Sequence, residues 1–279
     1  MQPKILYEKL YLNDKQIVDR NDKEIIFNGA KTVKLSQLES VLHLLKEEEQ
    51  IDPICQGFAK IYFNDYYRSS TTRYELNFFD AKGLRSQFQS LTDIQESDKE
   101  TRIKLYLAFV NALEVFNPIK QRFIDVFPQV EDVKVAPLDW DRGDIPVFLK
   151  DLPVVQIKEE GVDTWIHEGR MSSGMFRTLM HLSDLYLCAE GSVILIDEFE
   201  NSLGVNCIDE LYKRNLQFII TSHHPYIINN IHYDNWKIVI RKASVVYAKE
   251  ANEYRLGKSK HEAFIQLINL EEYATGVAK

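Results

Sequence analysis

Val193-Ile194-Leu195-Ile196-Asp197-Glu198 decides how the chain is read: four apolar residues suit a strand buried on both faces, and two adjacent acids close it. Ligands of open α/β sheets bind outside the carboxyl ends of the strands, so acids placed there look into a binding crevice. Asp197 can then hold Mg2+ directly or through water, and Glu198, facing the other way, can polarise an attacking water. Taken alone, the same letters also fit a strand running into an acidic turn.

Context narrows the choice. Upstream, Met171-Ser172-Ser173-Gly174-Met175 opens an apolar-periodic segment expected to be helical to about Cys188. That puts hydroxyls and a glycine at a helix N-terminus, where free N–H groups and the helix dipole attract phosphate; an ordinary serine N-cap is the simpler alternative. Downstream, Phe218-Ile219-Ile220-Thr221-Ser222-His223-His224-Pro225 is a second apolar strand, expected over 217–220, ending in hydroxyls and imidazoles that could reach a γ-phosphate from the same edge. Asn201-Ser202-Leu203-Gly204 reads as a tight turn after the acids, and a short helix is expected over 206–213. Strand and helix alternation implies parallel pairing.

A hydroxyl-glycine helix start, an acidic strand end, a tight turn and a histidine strand end stand in the order of the signature, Walker B, D-loop and H-loop of ABC-type ATPases. Ser172-Ser173-Gly174-Met175 with Arg177, Leu195 to Gly204, and Thr221 to Pro225 make residues 160–245 resemble the OLD/SMC/Rad50-like branch. The chain looks most like bacterial AAA-family ATPases of the AAA15/AAA21 type. The resemblance implies an α/β, ABC-type P-loop NTPase lobe with a parallel sheet core, ATP and Mg2+ as ligands, and ATP sandwiched in a head-to-tail homodimer or larger oligomer. Residue by residue, it implies Asp197 as the Mg2+ ligand, Glu198 as catalytic base and His223 as the switch histidine. Ser172, Ser173 and Gly174 would contact a γ-phosphate bound by a neighbour, and Ser202 and Gly204 would belong to the turn crossing the dimer seam. His224 would pack or support, and Arg177 either contacts nucleotide or covers its own helix. The family further implies nucleic-acid-directed work, on DNA or RNA, or control of an effector nuclease in bacterial defence against phage.

One part of the pattern is missing. The GxxxxGK[ST] loop, whose backbone N–H groups cradle the β-phosphate, is not found; the nearest stretch is Gly29-Ala30-Lys31-Thr32, where alanine separates glycine from lysine. In the family, the phosphate loop and Q-loop would precede the segment with which this chain begins, so the chain is expected to start after them. The short connection from Gly204 to Gln217 is compatible with an omitted stretch. A split ATPase, or a catalytically incomplete regulatory or scaffold subunit beside an effector nuclease, would account for the same gap.

The rest of the chain is read by texture. Residues 1–30 suggest a β-meander edge, with strands at Ile5-Leu6-Tyr7, Leu10-Tyr11-Leu12 and Glu24 to Phe27 and turns at Asn13-Asp14 and Asn21-Asp22. Residues 31–130 suggest a helical insertion or lid. Leu35, Leu38, Val41, Leu42 and Leu45 share a helical face, residues 55–81 mix aromatic and polar groups as helix or strand, and Ser97 with Glu100 spells a capping box. The helix it opens should end before Asn117-Pro118, which should start another. Residues 131–279 form the ATPase lobe, with a hairpin of Val154 to Lys158 and Val162 to Ile166 around Glu159-Glu160-Gly161.

Bulk properties fit this picture. The chain has 279 residues, 45% apolar and 27% charged, with no run near the roughly 20 apolar residues needed to span a bilayer. A polar N-terminus argues against a leader and for the cytoplasm, with no membrane partner. A net charge of −8 disfavours a globally basic nucleic-acid glove but not a basic groove formed on assembly. Cys55, Cys188 and Cys207 have no ligand or pairing spacing.

Overall fold

The computed structural model describes residues 4–63, 80–137, 152–202, 208, 211, 215–254, 257 and 259–270. Contacts divide the chain into two compact units, Met1–Tyr62 and Phe63–Lys279.

The first unit is built on an antiparallel meander of β1 (Glu8–Leu12), β2 (Lys15–Arg20), β3 (Ile25–Phe27) and β4 (Ala30–Lys31). Leu12 pairs with Lys15 around Asn13 and Asp14, and Phe27 pairs with Ala30 around Asn28 and Gly29. All four turn residues have positive φ (48°, 64°, 50° and 81°), the left-handed geometry that lets a two-residue turn follow the strand twist. Gly29-Ala30-Lys31-Thr32 is therefore a hairpin turn and its outgoing strand, with no phosphate cradle. Ile5-Leu6-Tyr7 lies outside any strand, so the meander starts three residues later than its apolar letters suggest.

Helical spacing from Leu35 yields only the short α1 (Val41–Leu44), capped by Ser40, followed by α2 (Asp52–Ala59). Leu35 packs on the meander core of Ile17, Val18, Ile25, Val41 and Ile51 without being helical. Arg20, 1% exposed, donates to the carbonyls of Ser36 and Glu39 at 2.7 Å and pairs with Glu8 at 3.2 Å. These bonds hold the Ser36–Ser40 approach in a bent, non-helical path, which is why the stripe does not continue as a helix. β5 (Ile61–Phe63) straddles the division between the units, and the rest of the aromatic segment, residues 64–79, lies outside the described residues.

In the second unit, α3 (Ala81–Gln87) and α4 (Leu91–Glu96) lead to α5 (Thr101–Asn111) and α6 (Leu113–Val126). The capping box is at Ser90 and Asp93, not at Ser97 and Glu100. Ser97 closes α4 instead, its hydroxyl donating to the Ile94 carbonyl at 2.8 Å. The break between the long helices falls at Ala112, and Pro118 sits inside α6. Pro118 removes one helical hydrogen bond, at about 3 kcal/mol. The stripe of Val115, Phe116, Ile119 and Phe123 crosses it, and each buried side chain returns roughly 1.5–3 kcal/mol. Burial wins, and the helix runs through.

β6 (Val130–Pro137), β7 (Pro153–Glu159) and the two-residue β8 (Ile166–His167) form an antiparallel sheet, so the second arm of the expected hairpin is shorter and later than Val162 to Ile166. α7 (Ser173–Leu187) packs against α5 and α6. It is buried from Met175 through Leu185, polar residues included. Thr101 Oγ1 donates to Asp184 Oδ1 at 2.5 Å and Ser183 Oγ to the Leu179 carbonyl at 2.7 Å, while Arg102 on α5 pairs with Glu168 at 2.9 Å. Burial pushes the Glu168 carboxyl up, opposed by Arg102 and the Val155 N–H. Lys104, lowered by burial, donates to the carbonyls of Gln95 at 2.8 Å and Leu187 at 3.5 Å, where helix C-termini favour a cation. Burial, reinforced by Arg177, lowers the His181 imidazole to about 4.

From α7 the chain turns through Gly191 (φ 75°) into β9 (Val193–Ile196), then α8 (Phe199–Ser202). β10 (Gln217–Ile220) pairs with β9 in parallel and in register, from Gln217 opposite Val193 to Ile220 opposite Ile196. α9 (Pro225–Asn230), the antiparallel pair β11 (Lys237–Lys242) and β12 (Val245–Glu250), and α10 (Lys260–Ile268) follow. A satellite core of Trp236, Ile238, Ile240, Ala251, Ala263 and Leu267 holds these last elements. No helix among the described residues is long and apolar enough to cross a membrane.

Candidate functional site

Parallel, in-register pairing of β9 and β10 brings Asp197-Glu198 and Thr221-Ser222-His223 to the same sheet edge, although they lie more than twenty residues apart in sequence. Side chains bond across that edge. Thr221 Oγ1 donates to Asp197 Oδ1 and accepts the Glu198 N–H at 2.9 Å. Backbone bonds continue the register, Thr221 N–H to the Ile196 carbonyl and Phe199 N–H to the Thr221 carbonyl, both at 3.0 Å.

Glu198 has φ 49°, a left-handed conformation that a non-glycine residue holds only when its surroundings enforce it. Here the two bonds to Thr221 from the Glu198 and Phe199 N–H groups enforce it, and fully buried Phe199 anchors the next turn. The kink separates Asp197, which is exposed, from Glu198, which is half-buried. It gives the two adjacent acids different settings.

Glu200 is the residue that sequence reasoning missed. Its carboxylate accepts from Ser222 Oγ at 2.7 Å and from the His223 N–H at 3.0 Å. Burial pushes this carboxyl up, but its own N–H, the Ser222 and His223 donors and the charge of His223 together hold it below the usual carboxylate range. The hydroxyls of Thr221 and Ser222, read from sequence as able to reach phosphate, are thus engaged with Asp197 and Glu200. A third acid on a helical turn beyond the pair was the available signal; its partner depends on strand pairing.

Ser172 is the N-cap of α7, accepting the Met175 N–H at 3.1 Å, and Ser173 and Gly174 form the first turn. A Cβ built on Gly174 would meet nothing within 4 Å. Packing of the described residues therefore does not require that glycine, which costs a helix about 1 kcal/mol relative to alanine. Arg177 is buried and its Nε donates to the Ser173 carbonyl at 3.3 Å, in keeping with covering its helix. His224 caps α9, its Nδ1 accepting the Tyr226 N–H at 3.2 Å. Asn201 and Ser202 continue α8 where a tight turn was expected, and Leu203 and Gly204 lie outside the described residues. Of the short helix expected over 206–213, only Ile208 and Leu211 are described, both buried.

Gly257-Lys258-Ser259 is a GKS tripeptide before α10, but Asn252 stands where the first glycine of a phosphate loop belongs. The Gly257 N–H is bonded to Gln266 Oε1 at 2.7 Å, Ser259 caps Glu262, and a Cβ on Gly257 would lie 2.6 Å from Glu262 Cβ.

Among the described residues, no group of three or more His, Cys, Asp or Glu side chains forms a metal cage. Mg2+ is commonly held by one or two carboxylates completed by phosphate oxygens and water, and the exposed Asp197 carboxylate fits that mode.

The strand-end acid pair and the neighbouring parallel strand ending in hydroxyls and histidine share one edge of a mixed α/β fold, the fold class of P-loop-type domains. The family model described as "AAA domain, putative AbiEii toxin, Type IV TA system" matches residues 56–229, more than half of the chain, and the chain belongs to that family. It is therefore an AAA domain, a class of nucleotide-binding ATPase that generally uses nucleotide with Mg2+. No curated protein matches the chain.

Proposed function

We propose that this chain is an ABC-type, OLD/SMC/Rad50-like ATPase module that binds and hydrolyses ATP at a head-to-tail interface between two copies or in a larger oligomer. The observation that carries this reading is the knitting of Asp197, Glu198 and Thr221 at the carboxyl edge of the β9–β10 pair, with His223 two residues further on. Asp197 holds Mg2+, which would neutralise charge on the β- and γ-phosphates. Glu198 accepts a proton from the water that attacks the γ-phosphorus, ADP leaves, and His223 donates a hydrogen bond to the γ-phosphate.

The start of α7, with Ser172 and Ser173 exposed and Gly174 half-buried, supports a role in a neighbour's site, because a glycine whose Cβ position is unobstructed allows close approach of phosphate. Ser202 and Gly204 are assigned to the seam. ATP then acts as an adhesive between copies, and hydrolysis releases them. The load moved by this cycle is proposed to be a nucleic-acid-directed, anti-phage complex that includes DNA or RNA or an effector nuclease, in keeping with the toxin wording of the family.

One second reading stands beside it, a catalytically incomplete subunit that lends its edge to a partner nuclease. Glu198→Gln separates the two. In an assembly containing a phosphate loop, the ATPase reading expects the variant to accumulate ATP-bound dimers, seen by light scattering, with turnover reduced at least about a hundredfold. Normal turnover would remove Glu198 as the base, and biological activity unaffected by the substitution would favour the helper subunit.

A further inference from the structure

We propose that Glu200 is a positioning residue that grips the Ser222 hydroxyl and the His223 N–H and so sets where the histidine stands over the nucleotide; this rests on the reading of Asp197, Glu198 and His223 as the ATP site.

Glu200 belongs to α8, the turn that leaves the acid pair, whereas Ser222 and His223 belong to the segment leaving β10. The two carboxylate oxygens divide between them: Oε2 accepts from the Ser222 hydroxyl at 2.7 Å and Oε1 from the His223 N–H at 3.0 Å. Ser222 Oγ also accepts the His224 N–H at 3.0 Å, which carries the grip to the cap of α9. A carboxylate shared by donors of consecutive residues restricts the backbone dihedrals between them, which set the direction in which the His223 side chain leaves the chain. The base of the grip is fixed too, because Phe199, next to Glu200, is fully buried and its N–H is bonded to the Thr221 carbonyl. Glu200 stays charged at neutral pH, since its donors outweigh its burial. Displacement of the acid-bearing turn would therefore be passed to the histidine by this side chain, beside the bonds that Thr221 makes to the same turn.

The test compares Glu200→Ala with Glu200→Gln in the whole chain. Amide exchange of Ser222, His223 and His224 is followed by NMR without nucleotide, and kcat and KM are measured where a phosphate loop is present. Loss of a hydrogen bond to a charged acceptor should speed exchange at His223 by about tenfold or more in Glu200→Ala. The same variant should lower kcat about tenfold while KM moves less than about twofold, as expected for an interaction that matters in the transition state. Glutamine keeps a carbonyl oxygen for the His223 N–H and should recover most of both. Ser222→Ala, which removes one donor and leaves Glu200 intact, should speed the same amide less. Unchanged exchange at His223 in Glu200→Ala, or Glu200→Gln as impaired as Glu200→Ala, would overturn the assignment. The exchange result needs no nucleotide, so it stands apart from the Glu198→Gln test of the ATPase reading, and either can fail alone.

Discussion

Thr221 donates its hydroxyl to the Asp197 carboxylate and accepts the Glu198 N–H, so one side chain at the end of β10 holds both acids at the end of β9. Valine has nearly the same shape but neither bond. Thr221→Val should lower stability by about 0.5–1.5 kcal/mol, read by urea denaturation, because a carboxylate and an N–H at an exposed edge each exchange a protein partner for water. Turnover should fall further than stability explains, and Thr221→Ser should restore both. A valine variant with full turnover would show that the acids hold their places without the hydroxyl.

Glu198 at φ 49° sets function against stability. Glycine adopts that backbone conformation without strain, so Glu198→Gly should be neutral to about 1 kcal/mol more stable than the parent chain while losing hydrolysis. Destabilisation measured by thermal or chemical unfolding would mean that the glutamate side chain stabilises the turn.

Ser172 offers a way to separate a cap from a phosphate contact. Aspartate is as good an N-cap as serine, so Ser172→Asp should retain stability within about 0.5 kcal/mol, whereas Ser172→Ala should lose about 1 kcal/mol. If the start of α7 meets a neighbour's γ-phosphate, the added negative charge should abolish nucleotide-dependent association, measured by sedimentation. Unimpaired association would restrict Ser172 to capping.

His181 makes stability depend on pH. Its imidazole is lowered to about 4 in the folded chain from an ordinary value of 6.5, chiefly by burial and next by Arg177. Between these values the unfolded chain binds the extra proton and the folded chain does not, so stability rises with pH across the window and is complete above it. Acidification from pH 6.5 to 4 should therefore cost on the order of 3 kcal/mol through this residue, and His181→Gln should flatten that part of the profile. An unchanged slope in the variant would place the acid sensitivity elsewhere.

In the meander unit, Arg20→Ala leaves Glu8 and the Ser36 and Glu39 carbonyls without their guanidinium. Glu8 is part-exposed and keeps the Ser40 and Val41 donors, so the cost is chiefly that of two carbonyls left without a donor, about 1–3 kcal/mol, and proteolysis of residues 1–62 should accelerate accordingly. Arg20→Met, matching in length, should recover packing but not the bonds. Parent-like resistance in both variants would show that the pair contributes little.

Sequence alone placed what depends on neighbours in the chain. β9 and β10 declared themselves as apolar runs, α7 by periodicity after a serine cap, and the meander in part by the polar turn at Asn13-Asp14; these are short-range preferences of backbone and side chain. It also yielded the acid pair and the order of motifs around it. Only tertiary structure decided where local signals competed: Ser97 closed a helix instead of opening one, and Pro118 stayed inside α6 because a buried stripe outweighed one hydrogen bond. It alone joined Thr221 to Asp197 and Glu200 to His223, since parallel strands bring such partners together only after the intervening chain has folded back. Hydrogen bonds at a sheet edge are set by which strands are neighbours, and no spacing within one strand encodes that.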